Sequence, residues 1–93
     1  MIPEKVLVTI QYVDRELPGD YELPAKVPVG TFKQTLVDAL VQSEPSLEVP
    51  LRSREQGLFV QENGQYRRIP EEDTLARHGI WDGSRVTLLP LEH

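Results

Sequence analysis

The sequence predicts one α+β domain in which a mixed sheet of four or five strands packs on a single helix. Two pairs of short alternating segments flank one amphipathic segment, and a further alternating segment ends the chain. The length of 93 residues suits one domain. We expect the domain to cover residues 1–90, and residues 91–93 to be an expression-tag remnant.

Residues 6–12 and 21–27 predict the first two strands, because apolar and polar side chains alternate in both. Pro18-Gly19-Asp20 predicts the turn between them. Pro24 has no backbone N–H to donate, so we expect the second strand at a sheet edge. The side chains expected to share one face are Val6, Val8, Ile10 and Tyr12 in the first strand, and Tyr21, Leu23, Ala25 and Val27 in the second.

The amphipathic helix follows. Thr31 and Gln34 have the spacing of a capping box, which predicts the helix start, and Pro45 ends the helix soon after Ser43. Residues 44–56 are a polar connection with several prolines, with room for a short extended piece around residues 47–51. The apolar stripe of the helix consists of Phe32, Leu36 and Leu40 with the flanking Val37 and Val41.

Residues 57–62 and 65–69 predict a hairpin around Asn63-Gly64, a pair typical of a type I′ turn. After a polar loop, residues 74–78 predict one helical turn that Gly79 ends, and residues 85–89 predict the last strand. The first strand is apolar on both faces, which suits a central position. A last strand beside it would run parallel to it, with the helix crossing the sheet, and this arrangement is the β-grasp.

The last third of the chain resembles the closing signature of ubiquitin-like domains. The matching segments are Thr74-Leu75, Gly79-Ile80 and Asp82-Gly83-Ser84-Arg85-Val86-Thr87-Leu88. Residues 22–29, Glu-Leu-Pro-Ala-Lys-Val-Pro-Val, are similar to the YukD/EsaB-like bacterial proteins and to the ubiquitin-like domain at the front of EccD membrane proteins. The resemblance covers residues 6–89, and it implies a ubiquitin-like component of a type VII (ESX-like) secretion system.

Composition excludes several classes of function. The net charge of −5 disfavours binding to nucleic acid or to an anionic membrane surface. Without cysteine there are no disulfides, no thiolate catalysis and no cysteine metal sites, which is compatible with a cytoplasmic protein. No apolar run approaches the length of a membrane span, so we expect no direct membrane insertion.

Polar residues near the end of the chain offer weak alternatives to a binding function. His78 lies close in sequence to Asp73 and Ser84, but catalytic triads are recognised by geometry and not by spacing. The acidic run at residues 71–73 favours a solvated loop over a metal site, and Asp73 is a candidate cap for the following helical turn. We therefore expect no enzyme activity, no cofactor, no metal and no small-molecule substrate.

Apolar side chains on the sheet face turned away from the helix are the better candidate site. Alternation places Leu7, Phe59 and Leu89 on that face as one partner-binding patch, with Thr87 at its edge. A shift of one residue in the third strand would reverse Phe59. Trp81 has two interpretations: a partly buried lid over the lower core, or an exposed anchor for a partner.

The main functional hypothesis is a non-catalytic protein-interaction module of type VII secretion, whose partners are membrane or ATPase components. One alternative is a ubiquitin-like modifier or sulfur carrier, a class that ends in Gly-Gly. Residues 88–90 are Leu-Leu-Pro, so this alternative requires that the Gly-Gly tail lie outside this sequence. The other alternative is a domain of a longer, EccD-like protein.

Overall fold

The five strands of the sheet lie in the order β2-β1-β5-β3-β4 in a computed structural model that describes residues 4–91. Strands β1 and β5 are parallel, and the other neighbours are antiparallel, so the predicted mixed sheet is confirmed. Short 3₁₀ turns lie at Pro45–Leu47 and Ala76–His78. The strands and helices are β1 (Lys5–Tyr12), β2 (Arg15–Pro24), α1 (Val29–Ser43), α2 (Glu48–Arg52), β3 (Gln56–Glu62), β4 (Gln65–Ile69) and β5 (Arg85–Pro90).

The first hairpin differs from the prediction. The chain does not turn at Pro18-Gly19-Asp20, because β2 runs through these residues and the chain reverses at Val13-Asp14 instead. Gly19, at φ 84°, lies where the register between β1 and β2 shifts. Glycine tolerates this left-handed backbone, so a bulge accommodates residues that alone would form a turn. The continued strand buries Leu17, which is 1% exposed.

Helix α1 begins earlier than the capping box predicts. The structure shows no side-chain cap, and Thr31 lies inside the first turn. The backbone N–H groups of Val29 and Gly30 donate instead to the carbonyl oxygens of Asp73 and Glu71, both at 2.9 Å. A loop distant in sequence therefore satisfies the helix start, which leaves no role for a capping side chain. The other end agrees with the prediction, because α1 ends at Ser43.

The core lies between α1 and the inner face of the sheet. Residues 44–56 contain α2 and a 3₁₀ turn, so the extended piece around residues 47–51 was a wrong expectation. Leu47 and Leu51 are buried, and this burial favours a compact helical connection. Val27 is exposed, because β2 ends before it. The core side chains include Val6, Val8, Ile10, Leu23, Ala25, Phe32, Leu36, Val37, Leu40, Leu58, Val60, Ile69, Leu75, Ile80, Val86 and Leu88.

The predicted turns in the second half are confirmed. Asn63 and Gly64 have φ values of 53° and 79°, as a type I′ turn requires. Gly79 ends the second 3₁₀ turn at φ 71°. Asp82 and Gly83 form the turn before β5. The carboxylate of Asp82 accepts a hydrogen bond from the N–H of Leu7 at 2.8 Å, so the turn at Asp82-Gly83 is tied to β1.

Candidate protein-binding surface

The outer face of the sheet, the face turned away from α1, carries an apolar cluster across β5, β3 and β4. In the register of these strands, Phe59 lies between Thr87 of β5 and Arg68 of β4. Leu89 lies two residues beyond Thr87 in β5 and pairs with Gly57. Tyr66 lies two residues before Arg68 in β4 and pairs with Gln61. Leu89, Phe59 and Tyr66 are therefore diagonal neighbours on one face. We call these three residues the docking cluster.

The docking cluster is open to solvent. Tyr66 is 42% exposed, and Phe59 and Leu89 are half-buried. Gly57 is the reason that the ring of Phe59 lies low on the sheet: a Cβ at Gly57 would come within 3.0 Å of Phe59 Cε1. It would also come within 2.7 Å of Leu91 Cδ2, a side chain in the predicted tag remnant that we leave out of the cluster. The third strand keeps its predicted register, since Leu58 and Val60 are buried.

Sequence reasoning did not single out Tyr66. The signal was available, because a two-residue turn at Asn63-Gly64 fixes the register of the hairpin. That register pairs Gln61 with Tyr66 and Phe59 with Arg68. The alternation that buries Ile69 then places Arg68 and Tyr66 on the outer face.

Thr87 does not face solvent, and this part of the predicted site is wrong. It alternates with buried Val86 and Leu88, so it lies on the outer face, yet it is only 2% exposed. Strand β5 is central, and Thr87 lies between Gln11 of β1 and Phe59 of β3. The longer side chains on either side cover its short one. Thr87 is therefore the floor of the cluster and not its edge.

Leu7 does not join the docking cluster. Its carbonyl oxygen accepts a hydrogen bond from the N–H of Gly83, so Leu7 is level with the turn before β5. Leu89 lies near the other end of β5, six residues beyond Gly83. At about 3.3 Å per residue, roughly 20 Å separates the two leucines along the sheet. The single patch expected from alternation is therefore two separate surfaces.

The second surface consists of Leu7 and Trp81, beside the turn that leads into β5. Leu7 is 46% exposed and Trp81 is 53% exposed. The backbone N–H of Trp81 donates to Ser84 Oγ at 2.9 Å, which holds the loop in a tight turn. Trp81 is more than half exposed, which favours its interpretation as an exposed anchor over its interpretation as a lid. We call Leu7 and Trp81 the turn surface.

Two arginines on the outer face are available for pairing with a partner. Arg68 lies beside Phe59 on the outer face and is 3.4 Å from the carboxylate of Glu71. Arg85 lies on the outer face of β5 and pairs with Glu16 at 2.7 Å. Both pairs are exposed to solvent, where such ion pairs are weak and a partner's carboxylate competes easily.

His78 does not form a catalytic arrangement with its neighbours. Its Nε2–H donates to Asp73 Oδ2 at 3.0 Å, and its Nδ1 accepts from Arg67 Nη1. Ser84 Oγ already accepts the N–H of Trp81. Asp73 binds His78 and does not cap the 3₁₀ turn, which was the expectation; Thr74 Oγ1 accepts the N–H of Arg77 at 3.3 Å instead. These contacts tie His78 to Asp73 and Arg67 and do not join it to Ser84.

Glu71 of the acidic loop is paired with a cation of the same chain. Glu71 Oε2 lies 2.7 Å from Lys33 Nζ, and this contact lowers the pKa of Glu71 from its ordinary value. Across residues 4–91 no three histidine, aspartate or glutamate side chains are grouped as a metal site would require. In the same residues no helix has both the length and the apolar character to cross a membrane.

Comparisons with known proteins identify the family and the fold. Residues 6–88 match the family described as "WXG100 protein secretion system (Wss), protein YukD". No curated protein matches the chain in sequence. The ubiquitin-like domain of the Mycobacterium tuberculosis type VII secretion protein EccD1 is 23% identical at a TM-score of 0.68, covering 91% of this chain and 97% of that one.

Two further solved structures share the fold. The EccD5 ubiquitin-like domain of Mycobacterium xenopi is 21% identical at a TM-score of 0.73, covering 98% of this chain and 99% of that domain. A chain of the MycP5-free ESX-5 inner membrane complex, State II, is 19% identical at a TM-score of 0.77. The match covers 98% of this chain but only 22% of that one. The protein therefore belongs to the YukD family of the WXG100 secretion system, and its fold is that of the ubiquitin-like domains of type VII secretion proteins.

Proposed function

We propose that this domain is a non-catalytic binding module that docks on another component of a type VII secretion system through the docking cluster. The observation that carries the proposal is the unbroken diagonal of Leu89, Phe59 and Tyr66 on the outer face. These side chains point away from α1 and lack an internal core to pack against. Burying one exposed leucine or phenylalanine against a partner supplies about 1.5–3 kcal/mol before association costs are subtracted.

The partner we propose is a membrane or ATPase component of the secretion apparatus. Family membership places the domain in a secretion system, and one structural relative is a chain of an inner membrane complex. A domain that meets such an assembly from the cytoplasmic side gains from apolar anchors bordered by charge. Arg68 would pair with a carboxylate of the partner and act mainly on the rate of association.

The absence of catalysis is also part of this proposal. Both ring nitrogens of His78 are engaged, and Ser84 lies in a separate hydrogen bond. No contact joins the two residues into a nucleophile and base pair. The chain belongs to a family of secretion components, and its fold is that of a ubiquitin-like domain of another such component. Both observations support a role in assembly.

The test is binding to the purified cytosolic domains of the co-encoded ATPase and membrane components. Phe59→Ser and Leu89→Ser are combined, because both side chains lie on the outer face and are only half-buried. Val49→Ser is the matched control: Val49 is 74% exposed but lies on α2, away from the outer face. We expect the double variant to bind at least tenfold more weakly, and the Val49 control to bind like the natural sequence.

Backbone NMR spectra of each variant confirm that the fold is retained. Undiminished binding by the folded double variant would overturn the proposed surface. Loss of binding by Val49→Ser alone would place the interface on the α2 side of the molecule.

A further inference from the structure

Strand β2 presents free backbone groups at the edge of the sheet. Leu7 and Thr9 direct their backbone groups away from β2, toward the turn that leads into β5. The N–H of Leu7 donates to Asp82 Oδ1 and its carbonyl oxygen accepts from the N–H of Gly83, while the N–H of Thr9 donates to the carbonyl oxygen of Ser84. Antiparallel pairs alternate between hydrogen-bonded and non-hydrogen-bonded positions. The residues of β2 opposite Leu7 and Thr9, which are Glu22 and Asp20, therefore turn their N–H and C=O groups to the open edge.

An apolar groove runs beside this edge, between β2 and α1. Its volume is about 310 Å³. Leu23 and Leu36 form buried parts of the wall, while Thr35 and Ala39 are exposed along the helix side. A strand added to β2 would place every second side chain over this groove, because side chains alternate across a sheet.

The remaining side chains of an added strand would lie on the outer face, beside acidic residues. Asp20 and Glu22 alternate with Tyr21 and Leu23, so their carboxylates are on the outer side of the edge. Within residues 4–91 Asp20 has no cationic partner. In the same residues the one cation paired with Glu22 is the exposed Lys5, at 3.3 Å. Basic side chains on the added strand would complement this charge.

The same carboxylates disfavour a second copy of the chain as the occupant. Two β2 edges paired antiparallel about Glu22 would bring Glu22 against Glu22, and like charges directly opposite are destabilising in a sheet. We propose that the β2 edge and its groove form a second binding site, which takes an extended peptide of alternating apolar and basic residues. This site is separate from the docking cluster. The cluster lies on β5, β3 and β4, and β1 stands between these strands and β2 in the sheet.

The probe is a short fluorescein-labelled peptide of alternating valine and lysine. Two comparison peptides keep one property each: one has the same composition with the valines and lysines in separate blocks, and one alternates valine with glutamate. We expect saturable binding of the alternating valine-lysine peptide alone by fluorescence anisotropy. The backbone amide signals of Asp20 and Glu22 should shift in NMR spectra, whereas that of Phe59 should not.

Glu22→Pro is the sharpest variant, because it removes an N–H that faces the open edge and leaves the β1–β2 ladder intact. We expect about fivefold weaker binding than for Glu22→Gln, which loses the same charge but keeps the N–H. Ala39→Arg blocks the groove from an exposed helix position and should also weaken binding, so the test stands if Glu22→Pro fails to fold. The Phe59→Ser and Leu89→Ser variant should bind the peptide normally, which separates this site from the proposed function.

Three results would overturn the proposal. The first is equal binding of the block and alternating peptides, which would show adhesion to charge alone. The second is amide shifts at Phe59 and not at β2. The third is a dimer that forms without peptide and shifts the amides of Asp20 and Glu22, because a second copy would then occupy the edge.

Discussion

Lys33 is the residue through which helix α1 contacts two other segments of the chain. Its Nζ donates to the carbonyl oxygen of Gln56 at 2.8 Å and lies 2.7 Å from Glu71 Oε2 and 3.4 Å from Glu55 Oε1. The Lys33 side chain is only 13% exposed. A lysine with several hydrogen bonds at a partly buried position contributes more than an exposed ion pair does. It joins α1 to the start of β3 and to the loop after β4.

Replacing Lys33 with methionine keeps the aliphatic stem but removes these contacts. We expect the free energy of unfolding to fall by about 1–3 kcal/mol at neutral pH, because partly buried acceptors lose a charged donor. Chemical denaturation measures the change. Lys26→Met is the matched control, since Lys26 is exposed, and its effect should stay within about 0.5 kcal/mol. Equal stability of the two variants would contradict a structural role for Lys33.

The contact between Lys33 and Glu71 also predicts a pH dependence. The pKa of Glu71 is lowered from 4.5, with the hydrogen bond from Lys33 as the main cause. A lowered pKa in the folded state means that the pair stabilises the protein above the ordinary pKa and loses this effect as pH falls through the folded value. Glu71→Gln should therefore be less stable than the natural sequence near neutral pH, and the difference should shrink below about pH 4.5. Denaturation at a series of pH values tests this, and a difference that grows on acidification would contradict it.

Helix α1 is the element that covers the sheet, and its central leucine tests this packing. Leu36 is 4% exposed and belongs to the core. Leu36→Ala should lower the free energy of unfolding by about 2–5 kcal/mol, as for other buried leucines. The adjacent Thr35 is exposed, so Thr35→Ala should change it by no more than about 0.5 kcal/mol. An unchanged denaturation midpoint for Leu36→Ala would contradict the packing.

The β3–β4 hairpin sets the register that builds the docking cluster. Gly64 has φ of 79°, and a side chain there would have open space but a strained backbone. Gly64→Ala should therefore cost about 1–2 kcal/mol from conformation alone. Asn63→Gly should be tolerated better, because glycine also accepts positive φ. Thermal unfolding of both variants would contradict the turn assignment if Asn63→Gly were the more damaging.

Element types followed from the sequence more closely than element boundaries did. Alternation identified the inward faces of β1, β3 and β5, because burial repeats every second residue in a strand. The start of α1 was missed, since the groups that satisfy it are the carbonyl oxygens of Glu71 and Asp73. A local capping signature carries no information about a loop that arrives from the other end of the chain.

At the scale of the whole molecule, the docking cluster and the turn surface should act independently. We expect Leu7→Ser combined with Trp81→Ser to leave binding through the docking cluster within twofold, because roughly 20 Å separates Leu7 from Leu89 along the sheet. Binding to the same secretion components as above measures this. Loss of binding in both double variants would instead show that one partner spans both surfaces.

The sequence alone determined the β-grasp, the identity of most core residues and the hairpin at Asn63-Gly64. These features depend on periodicity and on the backbone freedom of particular residues, which are local properties. Only the tertiary structure decided which outer-face residues are neighbours. Strand register and order separate Leu7 from Leu89, bring Tyr66 beside Phe59 and bury Thr87 beneath its neighbours. Alternation assigns a side chain to a face, but its position on that face is fixed by hydrogen bonds to strands from elsewhere in the chain.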